Sequence, residues 1–197
     1  MFRSGKLLTG SRLIATIVML GFHLPGNANT QEKPDKELRQ ILLKAVSESD
    51  SFKDRYDAEV WLLDMSTRLQ PKLKNANERL ELLKHIHYEA TRAKLSPQIV
   101  LAVIQVESNF DKYALSEVGA RGLMQVMPFW LDEIGRKGDD LFNIRTNLRF
   151  GCTILRFYLD KEKGNITRAL ARYNGSLGSY RYTTKVFRVL DNRWALR

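Results

Sequence analysis

Apolar positions along this chain recur with the period of a helix, not of a strand. After a polar stretch from Asn29 to Lys36 the first run comprises Leu38, Ile41, Leu42 and Ala45. Val60, Leu62, Leu63, Met65 and Leu69 form a second, stopped near Pro71; Leu80, Leu82, Leu83, Ile86 and Ala90 form a third. Nothing before Leu95 alternates with period two for a useful length. Ser96-Pro97 then marks a helix start, serine as N-cap and proline in the first turn. The segment Ile99 to Val106 behind it is almost wholly apolar, and a helix apolar on every side must be buried on every side. Further helices are predicted over Asn143 to Lys161, Ile166 to Tyr173 and Tyr182 to Leu190. The pattern predicts an all-α fold, a compact helical domain around one buried central helix with an N-terminal helical extension.

Length and composition leave that picture standing. With 197 residues, 44% of them hydrophobic and 27% charged, the chain has material for one domain with a real core plus small attachments. Residues 1–28 have a separate character. Arg3, Lys6 and Arg12 precede a mostly apolar, uncharged run from Leu13 to Leu24 that ends at Pro25-Gly26. A spanning helix needs about 20 apolar residues, so this shorter run is read as a cleaved export signal with no stable membrane anchor expected, and His23 and the weak cleavage site leave an uncleaved anchor as the other reading. Gly26-Asn27-Ala28 supplies small residues for cleavage near Ala28. The expected organisation is a signal peptide over 1–28, a helical extension over 29–79 and the main domain, which carries the chemistry considered below, over 80–197. Cys152 is the only cysteine, which excludes an intramolecular disulfide, and it is read as a small buried hydrophobe.

Charge adds a direction. Residues 136–197 carry 14 basic and 5 acidic side chains, whereas residues 29–135 carry 15 and 17. The C-terminal third is therefore a basic face. In an exported protein, that suits a polyanionic polymer outside the cytoplasm better than nucleic acid.

The chemistry centres on Glu107, which closes the apolar helix. Desolvation and the negative end of the helix dipole both disfavour a carboxylate there, the environment in which a carboxylic acid stays protonated for general-acid work. Gly119 and Gly122 bracket a loop able to approach a polymer closely, and Leu123-Met124-Gln125 follows with one thioether and one amide. Met124 has two readings, core packing and sugar contact. Tyr173 and Asn174 end a helix beside Gly175, a natural left-handed terminator. Other chemistries lack their residues. His85 and His87 are two apart on a helix and point to different faces, so no metal site is expected, and no cofactor motif is present. No nucleophile elbow occurs either. Trp61, Trp130 and Trp194 are read as packing residues, with a sugar groove as the other reading of Trp130.

Three segments in order, Glu107-Ser108-Asn109-Phe110 with Ser116, Gly119-Ala120-Arg121-Gly122-Leu123-Met124-Gln125, and Ala171-Arg172-Tyr173-Asn174-Gly175, resemble lytic transglycosylases of the soluble type, whose fold is like that of goose-type lysozyme. The resemblance covers about residues 80 to 190. It implies a lysozyme-like fold and cleavage of peptidoglycan between N-acetylmuramic acid and N-acetylglucosamine, with Glu107 as the single acid and base and 1,6-anhydromuramic ends as product. It further implies that Tyr173 hydrogen-bonds Glu107, that Asn174 helps hold the site, that Gln125 meets a sugar acetamido group and that Ser116 contacts substrate near the cleaved bond. Ser108 is read either as a substrate contact or as a support for the end of the catalytic helix. Tyr182, in Tyr-Thr-Thr-Lys-Val, resembles the family's last motif, but the Glu-Thr-Arg run common ahead of it is replaced by Gly178-Ser179-Tyr180. The alternatives are a muramidase that delivers water, for which Asp111 and Glu117 are the further carboxylates, a catalytically dead wall-binding module, and a basic membrane-surface or nucleic-acid binder. The glycan strand is the expected partner, and an envelope or secretion apparatus is a further one that the sequence does not identify.

Overall fold

The computed structural model describes residues 55–196; the expected signal peptide and the run from Leu38 to Ala45 lie outside them. The described residues form helices and loops, with only two isolated bridges, Leu115 with Arg121 and Arg121 with Val126, as extended pairing. The all-α expectation holds there. In chain order the helices are α1 (Arg55–Leu69), α2 (Ala76–Arg92), α3 (Pro97–Glu107), α4 (Phe129–Ile134), α5 (Ile144–Lys161), α6 (Ile166–Tyr173) and α7 (Arg181–Val189). A single π turn, Leu190–Trp194, continues α7.

The central helix is α3. Val100, Leu101, Ala102, Val103 and Ile104 are each 0% exposed, as the unbroken apolar run requires. α2, α7 and the π turn pack around it, while α5 packs on α2 and α6. Ser96 and Pro97 do begin it, but the Ser96 hydroxyl makes no cap bond to the helix and donates to the Gln98 side chain instead. Asparagines do the capping elsewhere. Asn75, Asn143 and Asn165 each accept from backbone N–H groups in the first turn of α2, α5 and α6.

The expected boundary between residues 79 and 80 falls inside α2, and α1 shares the central core. Trp61, Met65 and Leu69 are buried at i, i+4 and i+8, whereas Leu63 is exposed. A reciprocal clasp fixes α1 to the π turn: Arg68 donates to the carbonyls of Arg193 and Ala195, and Arg193 donates to that of Arg68. Buried Glu89 on α2 receives Arg92 at 2.6 Å and Arg149 of α5 at 3.0 Å, and Arg92 also donates to Thr153. This tie sets α5, and with it the loop beside the site, against α2.

Candidate active site

Glu107 is the last residue of α3 and is half-buried. The chain then turns sharply. Ser108 and Asn109 donate their N–H groups back to Ile104 and Gln105, and Asn109 and Phe110 both take the left-handed conformation, at φ 51° and 69°. For a buried phenylalanine that conformation is strained, and the surroundings enforce it. Phe110 is 4% exposed and meets the edge of Trp194 at 5.6 Å, while the Trp194 indole N–H donates to Gln105 Oε1 at 2.8 Å. The π turn thus locks the end of α3 and the turn after it. Ser108 Oγ donates to Leu123 O at 2.8 Å and also lies 3.1 Å from Ile104 O, so it supports the helix end and ties it to the glycine loop.

That loop is a four-residue turn, Gly122 to Gln125, closed by paired bonds between Arg121 and Val126. Asn147 of α5 anchors it from beneath. Its Oδ1 accepts from Met124 N, and its Nδ2 donates to Arg121 O and Leu141 O, each at 2.8 Å. Gly122 has φ 70°, and a Cβ there would stand 2.5 Å from both Asn147 Nδ2 and Leu141 O, so the position requires glycine twice over. Met124 is fully buried, with its sulfur 2.5 Å from where a Cβ on Gly151 would stand. Of its two readings, the structure has core packing. Gln125, also left-handed at φ 50°, is 6% exposed and donates from Nε2 to Gly122 O and Ala114 O. Its amide hydrogens are spent on the loop, which leaves the side-chain carbonyl as the group able to accept from a ligand. Ser116 accepts from Ala120 N at 2.9 Å and so closes the preceding loop.

The hydroxyl that donates to Glu107 comes from Tyr182, at 2.7 Å to Oε1. Tyr173 donates its hydroxyl to Met124 O, also at 2.7 Å. α6 thus reaches the glycine loop through Tyr173, and α7 packs directly on α3. Burial first, then the neighbouring carboxylate and its hydrogen bond, holds the Tyr182 phenol well above its ordinary range, so it stays a donor. Asn174 is the C-cap of α6. Gly175 at φ 70° follows it, with Ser176 N bonded to Ala171 O and Gly175 N to Arg172 O, the double bond of a Schellman ending.

The structure therefore brings Glu107, Ser108, Met124, Gln125, Tyr173 and Tyr182 into one linked constellation, with Ser116 and Asn174 shaping adjoining loops. Trp130 and Trp194 are fully buried and belong to the core. Sequence reasoning missed Asn147 and Gly151. The signal available for both was a polar residue and a glycine inside a helix, each of which needs a local reason.

Comparison with known proteins decides the family. The model of the Transglycosylase SLT domain matches residues 84–190. The chain belongs to the SLT transglycosylase family. The chain is 33% identical over 100 residues to membrane-bound lytic murein transglycosylase C of Actinobacillus pleuropneumoniae serotype 5b, covering 46% of this chain and 27% of the relative. It is also 33% identical over 91 residues to the transglycosylase of Enterobacteria phage PRD1, covering 46% of this chain and 33% of that one. Among solved structures it is similar to the lytic transglycosylase Slt of Pseudomonas aeruginosa, an inactive mutant, with 32% identity, TM-score 0.44, and coverage of 50% of this chain and 17% of that chain. The chain thus spans about a third or less of the length of these relatives.

Proposed function

We propose that this protein is a lytic transglycosylase that cleaves the β-1,4 bond between N-acetylmuramic acid and N-acetylglucosamine in exported murein, with Glu107 as sole acid and base. The observation that carries the reading is Glu107 at the end of a buried apolar helix, half-buried and held by a phenol that stays protonated. Glu107 protonates the oxygen leaving the muramic ring, and the Tyr182 O–H orients the carboxyl group and later stabilises the carboxylate. Ionised Glu107 then takes the proton from the C6 hydroxyl of the same sugar, which attacks C1 and closes the 1,6-anhydro ring. One residue serves both steps, because no water has to be activated from the opposite face.

Residues 1–28 support export, so the reading places the enzyme in the cell envelope or outside it. Among the described residues no helix is long and apolar enough to cross a membrane.

The product tests the reaction. Digests of purified sacculi are expected to contain muramic ends lighter by one water than hydrolysis ends and inert to borohydride. Glu107→Gln keeps the shape and removes the proton, so turnover should fall by at least about 10²–10⁴-fold while sacculus binding survives. Reducing muramic ends would assign the chain to hydrolysis and direct attention to Asp111 and Glu117. Full turnover by Glu107→Gln would remove Glu107 from the chemistry.

A further inference from the structure

Glu107 is the last residue of α3, and helix ends fray, so the direction of its carboxyl group depends on what holds the last turn. Trp194 holds that turn from both sides. Its indole N–H donates to Gln105 Oε1 at 2.8 Å, two residues before Glu107, and its ring packs 5.6 Å from that of Phe110, three residues after it. The Gln105 carbonyl also accepts from Asn109 N, so the indole grips both ends of the short reversal in which Glu107 sits. Tyr182 meets Glu107 Oε1 from the same stretch of chain, since α7 runs directly into the π turn.

The π turn is what aims the indole. Were α7 to continue at about 3.6 residues per turn, Trp194 would stand roughly 120° around the helix from Tyr182, off the face that packs on α3. The bond from Ala195 N back to Leu190 O spans five residues and widens the turn, which returns the indole to α3, where it is fully buried. Arg68 of α1 braces this uncommon turn. Its Nη1 donates to the carbonyls of Arg193 and Ala195, the neighbours of Trp194 on either side, and Asp64 fixes the rest of the guanidinium through Nε and Nη2. Arg68 and Trp194 both lie outside residues 84–190, the segment that matches the SLT domain.

We propose that Trp194, braced from α1 by Arg68, is a positioning residue for Glu107: through Gln105 and Phe110 it fixes the end of α3 so that the carboxyl group stays aligned with the Tyr182 hydroxyl and with the bond to be cut. The proposal rests on the reading of Glu107 as acid and base. Proton transfer requires heavy atoms within about 2.6–3.2 Å, and a misplacement of about 1 Å can cost on the order of 10²-fold in rate. A frayed last turn would therefore slow the chemical step while leaving the rest of the glycan contacts in place.

Steady-state cleavage of purified soluble murein strands by the full chain tests this. Gln105→Met is the main variant, because it leaves the core intact and removes the acceptor; Trp194→Phe and Arg68→Met follow the connection outward, and thermal unfolding checks that each is folded at the assay temperature. In Gln105→Met and Trp194→Phe, kcat is expected to fall about tenfold with KM changed by less than about twofold, and Arg68→Met should show the same split with a smaller fall. In a Tyr182→Phe background Gln105→Met should cost much less than it does alone, because both changes act on one carboxyl group. Parent kcat in the folded variants, a loss carried by KM, or losses that multiply in full with Tyr182→Phe overturns the positioning role. Reducing muramic ends from the parent, with the coupled losses present, keep the positioning role and overturn the transglycosylase reading; a parent that cleaves no murein overturns both.

Discussion

Two tyrosines near Glu107 have hydroxyls at the same 2.7 Å from their acceptors, yet the acceptors differ and so do the consequences of losing them. Tyr182→Phe removes a donor to a carboxyl group, a bond worth about 1.5–3 kcal/mol, so turnover should fall roughly tenfold or more while the melting temperature stays close to the parent's. Tyr173→Phe leaves the Met124 carbonyl unpaired in a buried place, so its first effect should be a stability loss of about 1–3 kcal/mol in denaturant unfolding. The reverse ranking would exchange the two roles. Asn147→Leu goes further, since it strands Met124 N–H and Leu141 O together and takes one of two donors from Arg121 O, and a loss of at least about 2 kcal/mol is expected. Glu107 was legible in the sequence because one carboxylate ends an otherwise apolar run. The hydroxyl of Tyr182 beside it was less so, because Tyr182 is 75 residues away and its approach depends on how α7 lies against α3. Gln125 was legible as a loop residue, but the direction of its amide depends on Ala114 and Gly122 carbonyls that only the folded loop brings near it.

At the scale of elements, helical spacing located α2, α3, α5, α6 and α7 to within a residue or a few, because each has a cap or an apolar face long enough to register. α4 escaped notice since six residues make fewer than two turns, and the π turn did so because nothing in Leu190–Trp194 distinguishes it from the helix it continues. The face of α1 was partly misassigned. Leu63 fits an apolar pattern but is exposed, whereas Trp61 is buried, in keeping with its reading as a packing residue. The tie between α2 and α5 was also hidden, since Glu89, Arg92 and Arg149 look like ordinary surface charge until the helices meet. Glu89→Gln removes the charge that offsets two largely buried guanidinium groups, and a destabilisation of about 3–5 kcal/mol is expected in chemical unfolding. A double variant that also replaces Arg149 with Met should recover part of that loss. Failure to recover any would mean that Glu89 acts alone.

For the whole molecule, the basic C-terminal third is less free than its composition implies. Arg149, Arg156, Arg168 and Arg172 are each ion-paired within the domain. Arg181, Lys185 and Arg188 are exposed at i, i+4 and i+7 of α7, opposite the buried face that carries Tyr182 and Val186. Sacculus binding should therefore weaken with salt, over a screening length of about 8 Å at physiological ionic strength, and charge reversal of these three residues should flatten that dependence. Salt-insensitive binding would exclude the stripe.

The clasp of Arg68 with Arg193 and the wedge of Trp194 carry a consequence for timing. Val100 to Ile104 are covered by α2 on one side and by α7 and the π turn on another, so a chain made from its N-terminus keeps part of its most apolar helix uncovered until Leu190–Trp194 has arrived. A chain ending at Val189 should be cleaved rapidly by added protease where the longer one resists. Tyr182 can reach Glu107 only once α7 has closed over α3, so the surroundings of the carboxylate are completed late in folding.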